Sequence, residues 1–280
     1  MNELGIQRDD VDDKSELLAE RLQIPLVHAP DKHAGLLLSY QNDRLTLSLP
    51  SDREAGSVCV DFTDPKLKFR LAQALSREAV VKAVGGCVSR LSDTSAASHV
   101  IDATAGLGLD GFILAAAGWQ VSLIEQSPVM HALLGDGLRR SHLMVSQVSN
   151  DTLQSDRALR QLRIFGETLA RLHLCDHGDS IDVLPTLPAA AVIYLDPMFP
   201  ERGKTARVKK NRFLLQRLHG THGAGQGLLT LSLRLAPKVV VKRPRQAEPL
   251  ERLKPASSLT GKTSRFDIYV GRAHAVNMRR

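Results

Sequence analysis

Cysteine is scarce in this sequence of 280 residues, and the three present, Cys59, Cys87 and Cys175, are odd in number, far apart and without metal-type spacing. A disulfide framework and a zinc site are therefore not expected, no metal is assigned anywhere, and buried thiols are the expected state. Long apolar runs are missing as well: no stretch approaches the length needed to span a bilayer. The opening MNELGIQRDDVDDKSELLAE is acidic and lacks the apolar run of a signal peptide, so a cytoplasmic location with no membrane partner is expected. Repeats and low-complexity tracts are absent too. What is present, 43% hydrophobic and 24% charged residues, is ordinary for a folded chain with one sizeable core and a small appendage.

Acidic residues are missing from one long stretch: between Arg202 and Ala247 there are twelve basic residues and no acidic one. The net charge of +7 hides this asymmetry, because residues 1–201 hold 18 Lys and Arg against 27 Asp and Glu, whereas residues 202–280 hold 19 against 3. A single-signed field raises the local concentration of a polyanion and adds affinity through counterion release. Most charge runs are only solvated faces, so the position of this one in the fold decides its meaning.

The front of the chain reads as a small α+β section. Residues 15–23 predict a short helix, and GLLLSYQNDRLTLSLP at 35–50 predicts two strands around Gln41, Asn42 and Asp43, with Leu45, Leu47 and Leu49 alternating on one side. A further strand is expected at VCVDF, 58–62. The basic segment PKLKFR, 65–70, leads into a helix from Ser76, an N-cap residue, to Val84, stopped by Gly85 and Gly86. From His99 the pattern changes to strands alternating with helices. Strands are expected at 99–103, 120–125, 171–175, 191–196, 238–243 and 266–271, with helices beginning near Leu109, Pro128, Ser180 and Gln226 and another within 151–170. Short β-rich apolar runs flanked by helices imply a mostly parallel sheet covered on both faces. The last two strands have no helix between them and are expected to pair antiparallel at an edge. The expected fold is therefore a doubly wound α/β domain over residues 76–280, preceded by the small α+β section over residues 1–75.

Gly106, Gly108 and Gly111 in DATAGLGLDG, 102–111, match G-x-G-x-x-G between a strand and a helix, the arrangement that brings a nucleotide cofactor close to backbone. Glu125 ends the next strand 19 residues after Gly106, where a carboxylate can accept from both hydroxyls of an adenosine ribose. Nicotinamide dinucleotides and S-adenosylmethionine (SAM) both carry that ribose, so spacing alone leaves a dehydrogenase and a methyltransferase open. Asp102 favours the second, since a carboxylate just ahead of the glycines repels a pyrophosphate and attracts the α-ammonium group of SAM. Thr104 and the loop amides can complete the cradle. Asp179 in GDS, 178–180, can accept from the adenine amino group with Ser180 beside it, and is equally suited to cap the helix that follows.

The fourth strand of this half runs into DPMFP, 196–200. Ligands of an α/β sheet sit at the carboxyl ends of its parallel strands. The exocyclic amine of a nucleic-acid base is a poor nucleophile because its lone pair is delocalised into the ring. Asp196 and the carbonyl of Pro197 can each accept one amine hydrogen, pulling the nitrogen toward tetrahedral geometry. Both prolines stiffen the turn and offer no N–H to compete for those acceptors. Phe199 offers a face for an unstacked base, worth on the order of 1–3 kcal/mol. Asp196, Pro197 and Phe199 are accordingly the expected catalytic residues.

This turn resembles the [DN]-P-P-[YFW] motif of amino methyltransferases, with Met198 where the second proline usually stands. The longer strings DATAGLGLDGF, VIYLDPMFP with basic residues after it, VVVKRP and RFDIYVG, in this order, resemble the RsmJ family, bacterial methyltransferases that modify N2 of a guanosine in small-subunit ribosomal RNA. The resemblance covers roughly residues 76–271 and implies a Rossmann-like methyltransferase sheet with SAM as cofactor. It also implies that Leu109, Asp110, Glu125, Gln126, Asp179, Ser180 and Asp196 contact the cofactor, with Leu109 standing where the family usually has arginine. The basic stretch now gains a location. Lys204, Arg207, Lys209, Lys210 and Arg212 follow the catalytic turn, and Lys242 and Arg243, with Arg245, end the neighbouring strand, so all are expected to meet RNA phosphates at the rim. His219 and His222 have ligand-like spacing but sit in Gly-rich sequence and are taken as ordinary loop residues. The partner expected is ribosomal RNA or the small ribosomal subunit. Rival readings are an amino methyltransferase of DNA or another RNA, a nicotinamide-dependent oxidoreductase, and a silent RNA-binding protein on a methyltransferase scaffold.

Overall fold

A computed structural model of the chain describes residues 4–8, 13–88, 98–148, 156–197, 214–215, 217–218, 226–262 and 264–271. Phe199, Lys204, Arg207, Lys209, Lys210, Arg212, His219 and His222 lie outside the described residues. Two compact units divide the chain. The first gathers residues 4–61 and Ser127–Arg140, and the second gathers Phe62–Gln126 with residues 141–197 and 226–271.

The first unit holds β1 (Gly5–Gln7), α1 (Lys14–Leu22), β2 (Leu26–Val27), β3 (Leu37–Gln41), β4 (Arg44–Ser48) and β5 (Ser57–Val58). Its five-stranded sheet has the order β2-β1-β3-β4-β5. Strands β2 and β3 run parallel to β1, while β4 is antiparallel to both β3 and β5. The hairpin turns at Asn42 and Asp43, whose φ values of 50° and 58° are tolerated by short polar side chains and give the turn a twist that suits two paired strands. Leu45 and Leu47 alternate inward as expected and are buried. The strand expected at 58–62 shrinks to the two residues of β5, and β1 and β2 are too short to leave an alternating pattern in the sequence.

The second unit opens with α2 (Pro65–Ala72) and α3 (Ala79–Val84). The Asp64 carboxylate accepts from the N–H groups of Lys66 and Leu67, and Pro65, with no N–H to lose, starts α2. Ser76 does not cap α3 as expected; it lies in a 3-10 turn, Leu75–Arg77, and Glu78 precedes the helix. Then come β6 (His99–Asp102), α4 (Leu109–Ala116), β7 (Gln120–Leu123), α5 (Pro128–Gln147), α6 (Asp156–Leu169), β8 (Leu172–Leu174), α7 (Ser180–Val183), β9 (Val192–Leu195), α8 (Leu228–Leu235), β10 (Lys238–Pro244), β11 (Ser257–Thr260) and β12 (Ser264–Val270). Helix α5 contributes its part up to Arg140 to the first unit, where Asp136 accepts from the Leu45 N–H at 3.0 Å and pairs with Arg139 and Arg140.

The large sheet has the order β11-β12-β10-β9-β6-β7-β8. The five strands from β10 to β8 are parallel, and β12 and β11 complete an antiparallel edge. Strand β11 adds a member to the edge hairpin that the sequence did not mark, since Ser257 and Ser258 carry little apolar pattern. Chain order reverses between β6 and β9, which is where an open α/β sheet leaves a crevice at its carboxyl ends. One face is apolar: Ile101, Ile193, Leu195, Val239 and Val241 pack with Leu184 and with Leu228 and Leu229 of α8. Helix α4 covers the other face, and a Cβ on Gly111 would come within 2.5 Å of Leu123 Cδ2, so only glycine lets the helix lie this close to β7. The fold is thus the doubly wound, mostly parallel Rossmann-like methyltransferase architecture with an antiparallel edge. Of the three thiols expected to be buried, only Cys175 is; Cys59 is half-buried and Cys87 exposed, because Cys87 follows α3 into a surface turn instead of a strand. Among the described residues no helix is long and apolar enough to cross a membrane, and no group of three His, Cys, Asp or Glu could hold a metal ion.

Candidate active site

Strand periodicity assembles the site. Registers Asp102 opposite Tyr194 and Tyr194 opposite Val240 put these residues on one face of β6, β9 and β10. Successive side chains alternate, so Lys242 joins that face two residues after Val240, while Val239 and Val241 enter the apolar core on the other. The register of Val241 with Leu195 then brings Lys242 level with Asp196, just beyond the end of β9.

The polar groups on this face are closely joined. Lys242 Nζ donates to Asp110 Oδ2 and to Asp196 Oδ2, each at 2.7 Å, and the Tyr194 hydroxyl donates to the same Asp110 oxygen at 2.8 Å. Asp110 stands in the first turn of α4, where the helix dipole also favours a negative charge. Burial opposes its ionisation, but the Lys242 charge and hydrogen bond, the Tyr194 hydroxyl and Arg70 outweigh this and hold its carboxyl below the usual range. Lys242 behaves reciprocally: burial would strip its proton, and the two carboxylates instead hold it more firmly than in water. Asp102 lies behind them, 2% exposed, and accepts from the Thr104 N–H at 3.2 Å. Burial, with Asp110 and Asp196 adding repulsion, pushes its carboxyl well above the ordinary carboxylate range.

The loop after β6 is tied down on both sides. Glu125, at the end of the β7 run, is buried and accepts from the Gly106 N–H at 2.8 Å. The Asp196 N–H donates to Thr104 Oγ1 at 2.5 Å, joining the DPMFP turn directly to the glycine loop. Gly106 and Gly108 take φ values of 56° and 71°, the left-handed region that favours glycine. Among the described residues a Cβ on Gly106 would meet nothing nearer than the Thr104 carbonyl oxygen at 4.0 Å. Asp179 caps α7 by accepting from the Ile181 N–H at 2.9 Å and stays exposed, while the buried Ser180 hydroxyl donates to the Ala103 carbonyl at 2.5 Å. Leu109 and Gln126 are exposed, and the Gln126 carbonyl accepts from His177 at 2.8 Å in the tautomer that protonates Nε2. Pro197 is buried at the turn.

Asp102, the glycines, Asp110, Glu125, Ser180 and Asp196 are therefore brought to the carboxyl end of one sheet. Lys242 and Arg243, expected on the rim, are both engaged within the protein. Lys242 binds the carboxylates, and Arg243, on the opposite side of β10, is 6% exposed and donates to the Glu248 carbonyl. Tyr194 was not singled out in the sequence. The signal was there, since it stands two residues before Asp196 and so shares its face. A strand end with three carboxylates and one ammonium has room for more positive charge. SAM, with its sulfonium and α-ammonium groups, fits that donor set.

The comparisons agree. A family model of SAM-dependent methyltransferases matches residues 17–271. The chain is 38% identical over 268 residues to the ribosomal RNA small subunit methyltransferase J of Thioalkalivibrio sulfidiphilus, covering 94% of each chain. It is 41% identical over 244 residues to the protein of the same name from Pseudoalteromonas atlantica, covering 84% of this chain and 85% of that one. The crystal structure of a SAM-dependent methyltransferase from Neisseria gonorrhoeae superposes with a TM-score of 0.68 at 28% identity, covering 99% of both chains. On its residues, its sheet and its relatives, the chain belongs to the ribosomal RNA small subunit methyltransferase J family of SAM-dependent methyltransferases.

Proposed function

We propose that the protein methylates the exocyclic N2 amine of a guanosine in small-subunit ribosomal RNA, in the cytoplasm. The observation that carries this reading is the bond from the Asp196 N–H to Thr104. It fixes the carboxylate that would receive the substrate amine to the loop that would receive the cofactor, and near-attack chemistry depends on such fixed separations. The relatives' shared name, with its ribosomal RNA small subunit, supplies the substrate class.

Glu125 would accept from the ribose hydroxyls, Asp102 would face the α-ammonium, and Asp110 and Asp179 would bound the pocket on either side. When bound, SAM supplies an electrophilic methyl on its sulfonium. Asp196 and the Pro197 carbonyl would accept the two hydrogens of the guanine amine, so that its lone pair is freed from the ring and aimed. The Asp196 carboxylate then faces the positive charge that develops on nitrogen. The methylated nitrogen is acidic enough that its proton leaves without a strong base. Phe199 would hold the base flipped out of its stack, and Lys204, Arg207, Lys209, Lys210 and Arg212 would meet phosphates around it.

Tritiated methyl incorporation into small subunits, naked ribosomal RNA and DNA tests the reading, with Asp196→Ala beside the wild type. We expect Asp196→Ala to lose about a thousandfold or more in turnover, or about 4 kcal/mol of transition-state stabilisation, while still binding SAM by calorimetry. Unchanged turnover would reject the role of Asp196. Methylation of DNA in preference to RNA would reject the substrate.

A further inference from the structure

We propose that Lys242 is a positioning residue for methyl transfer, which clamps Asp196 and Asp110 into one rigid pair and so fixes where the substrate amine sits. The inference rests on Asp196 being the amine acceptor. Geometry carries it: one ammonium lies 2.7 Å from a carboxylate oxygen of each, linking the turn after β9 to the first turn of α4. These two segments are distant in the chain, and among the described residues no other side chain is seen to bond both. Tyr194 holds Asp110 from beneath at 2.8 Å, so the clamp has a fixed base and one adjustable arm, toward Asp196. Lys242 stands two residues after Val240, where its strand pairs with β12 through Phe266 and is one residue past its pairing with β9, so the register sets where its ammonium can reach. A lysine aimed at RNA phosphates would instead point outward, as its neighbour Arg245 is exposed to do.

Removing the ammonium leaves Asp102, Asp110 and Asp196 facing one another with Tyr194 and Arg70 as the remaining titratable neighbours. Repulsion then turns the Asp196 carboxylate away and makes both carboxylates harder to ionise. The experiment uses the full chain, SAM and small-subunit ribosomal RNA. Lys242→Met is expected to lower kcat about a hundredfold with RNA KM nearly unchanged, since a misplacement near 1 Å costs about that much. The acid limb of kcat/KM should move to higher pH, and Lys242→Arg should restore part of kcat and return the limb toward wild type. A circular dichroism melt checks folding, and if Lys242→Met does not fold, the kcat and acid limb of Lys242→Arg decide alone. Wild-type kcat and an unmoved acid limb in the folded variants would overturn the proposal. So would a rise in RNA KM with a shallower salt dependence and unchanged kcat, the signature of a phosphate contact. Asp196→Ala, run in parallel, separates the two ideas: an inactive Asp196→Ala beside a fully active Lys242→Met removes the clamp and leaves the amine acceptor standing.

A different surface carries a second inference. On α2, Leu67 is buried and the opposite side presents Phe69, 67% exposed, between the exposed Lys66 and Lys68. The next residue, Arg70, pairs with Glu78 at 2.8 Å and feels the charge of Asp110, so the helix lies close to the site. We infer that this face receives a single-stranded stretch of the RNA substrate, a base on Phe69 and its flanking phosphates on Lys66 and Lys68; it rests on RNA being the substrate. An aromatic flanked by two cations matches both the base faces and the phosphate charge of single-stranded RNA. By fluorescence anisotropy, Phe69→Ala and Lys66→Glu with Lys68→Glu should each weaken binding of a ribosomal RNA fragment about tenfold, and Phe69→Trp should retain it. Undiminished affinity in the first two variants, or a change in oligomeric state alone, would overturn it while Asp196→Ala still reports on the substrate reading.

Discussion

The two faces of β6, β9 and β10 are built from alternate residues of the same strands, yet they are opposite in character. One carries Ile101, Ile193, Leu195, Val239 and Val241 into a dry core, and the other carries Asp102, Tyr194 and Lys242 with Asp196 just beyond. The dry face tolerates substitution by shape alone, because dispersion and area burial are non-directional. On the charged face each group sets the protonation of its neighbours, so a substitution there acts through charge as well as shape. A sheet can therefore hold a stable core and a tense polar cluster one residue apart, with α4 and the glycine loop closing over the second.

The contrast breaks most completely if charge is put on the dry face. Val241→Asp, at a position with no exposure, should abolish cooperative folding, a loss of more than about 4 kcal/mol, seen as a missing thermal transition by calorimetry.

Asp102→Asn tests the charged face from the opposite direction. The Asp102 carboxyl is raised above its unfolded value, mainly by burial, so its contribution to stability is present at low pH and lost as pH rises through the folded value. A neutral isostere should thus raise the melting temperature of the cofactor-free protein at pH 8 and leave it nearly unchanged at pH 4. The same change should weaken SAM binding about tenfold by calorimetry, if Asp102 faces the α-ammonium. A lower melting temperature at pH 8 would show that the ionised carboxylate stabilises the free protein.

Gly111→Ala acts where α4 lies against the charged face. Its Cβ would press on Leu123 and approach Asp102 Oδ2 at 3.5 Å, pushing out the first turn of α4 and Asp110 with it. We expect a stability loss of about 1–3 kcal/mol in urea melts and a several-fold weaker grip on SAM. Tyr194→Phe should have the smallest effect: it removes one of two donors to Asp110 Oδ2 without changing shape, and should lower kcat only a few-fold in steady-state assays while Lys242 stays in place.

Much of this was legible in the sequence. The glycine loop, Glu125 at the next strand end and DPMFP at the fourth marked the carboxyl end of the sheet where the polar cluster gathers, because the physics there is local: left-handed φ values that favour glycine and a carboxylate at a strand end. The pairing of the last two long strands also followed from the missing helix. Strand β11 did not, since its pattern of two serines, leucine and threonine has little alternation, and the short β1 and β2 carry none. Lys242 was legible as a basic residue near the site but not as part of it. Reading VVVKRP by alternation would have turned Lys242 toward the Asp102 face, while its partners, 132 and 46 residues away in the chain, are set only by packing.

What the sequence determined by itself was the chemistry on offer: the loop that suits SAM, the carboxylate turn that suits an amine, and the basic stretch that suits RNA. Tertiary structure decided which charges neutralise one another. It assigned Lys242 to Asp110 and Asp196, tied Thr104 to the Asp196 N–H, and pushed the Asp102 carboxyl well above the ordinary carboxylate range while holding that of Asp110 below it. The reason is physical. A motif specifies residue types over a few positions, whereas the protonation and aim of a buried charge depend on every group within a few ångströms, and strand register alone determines which groups those are.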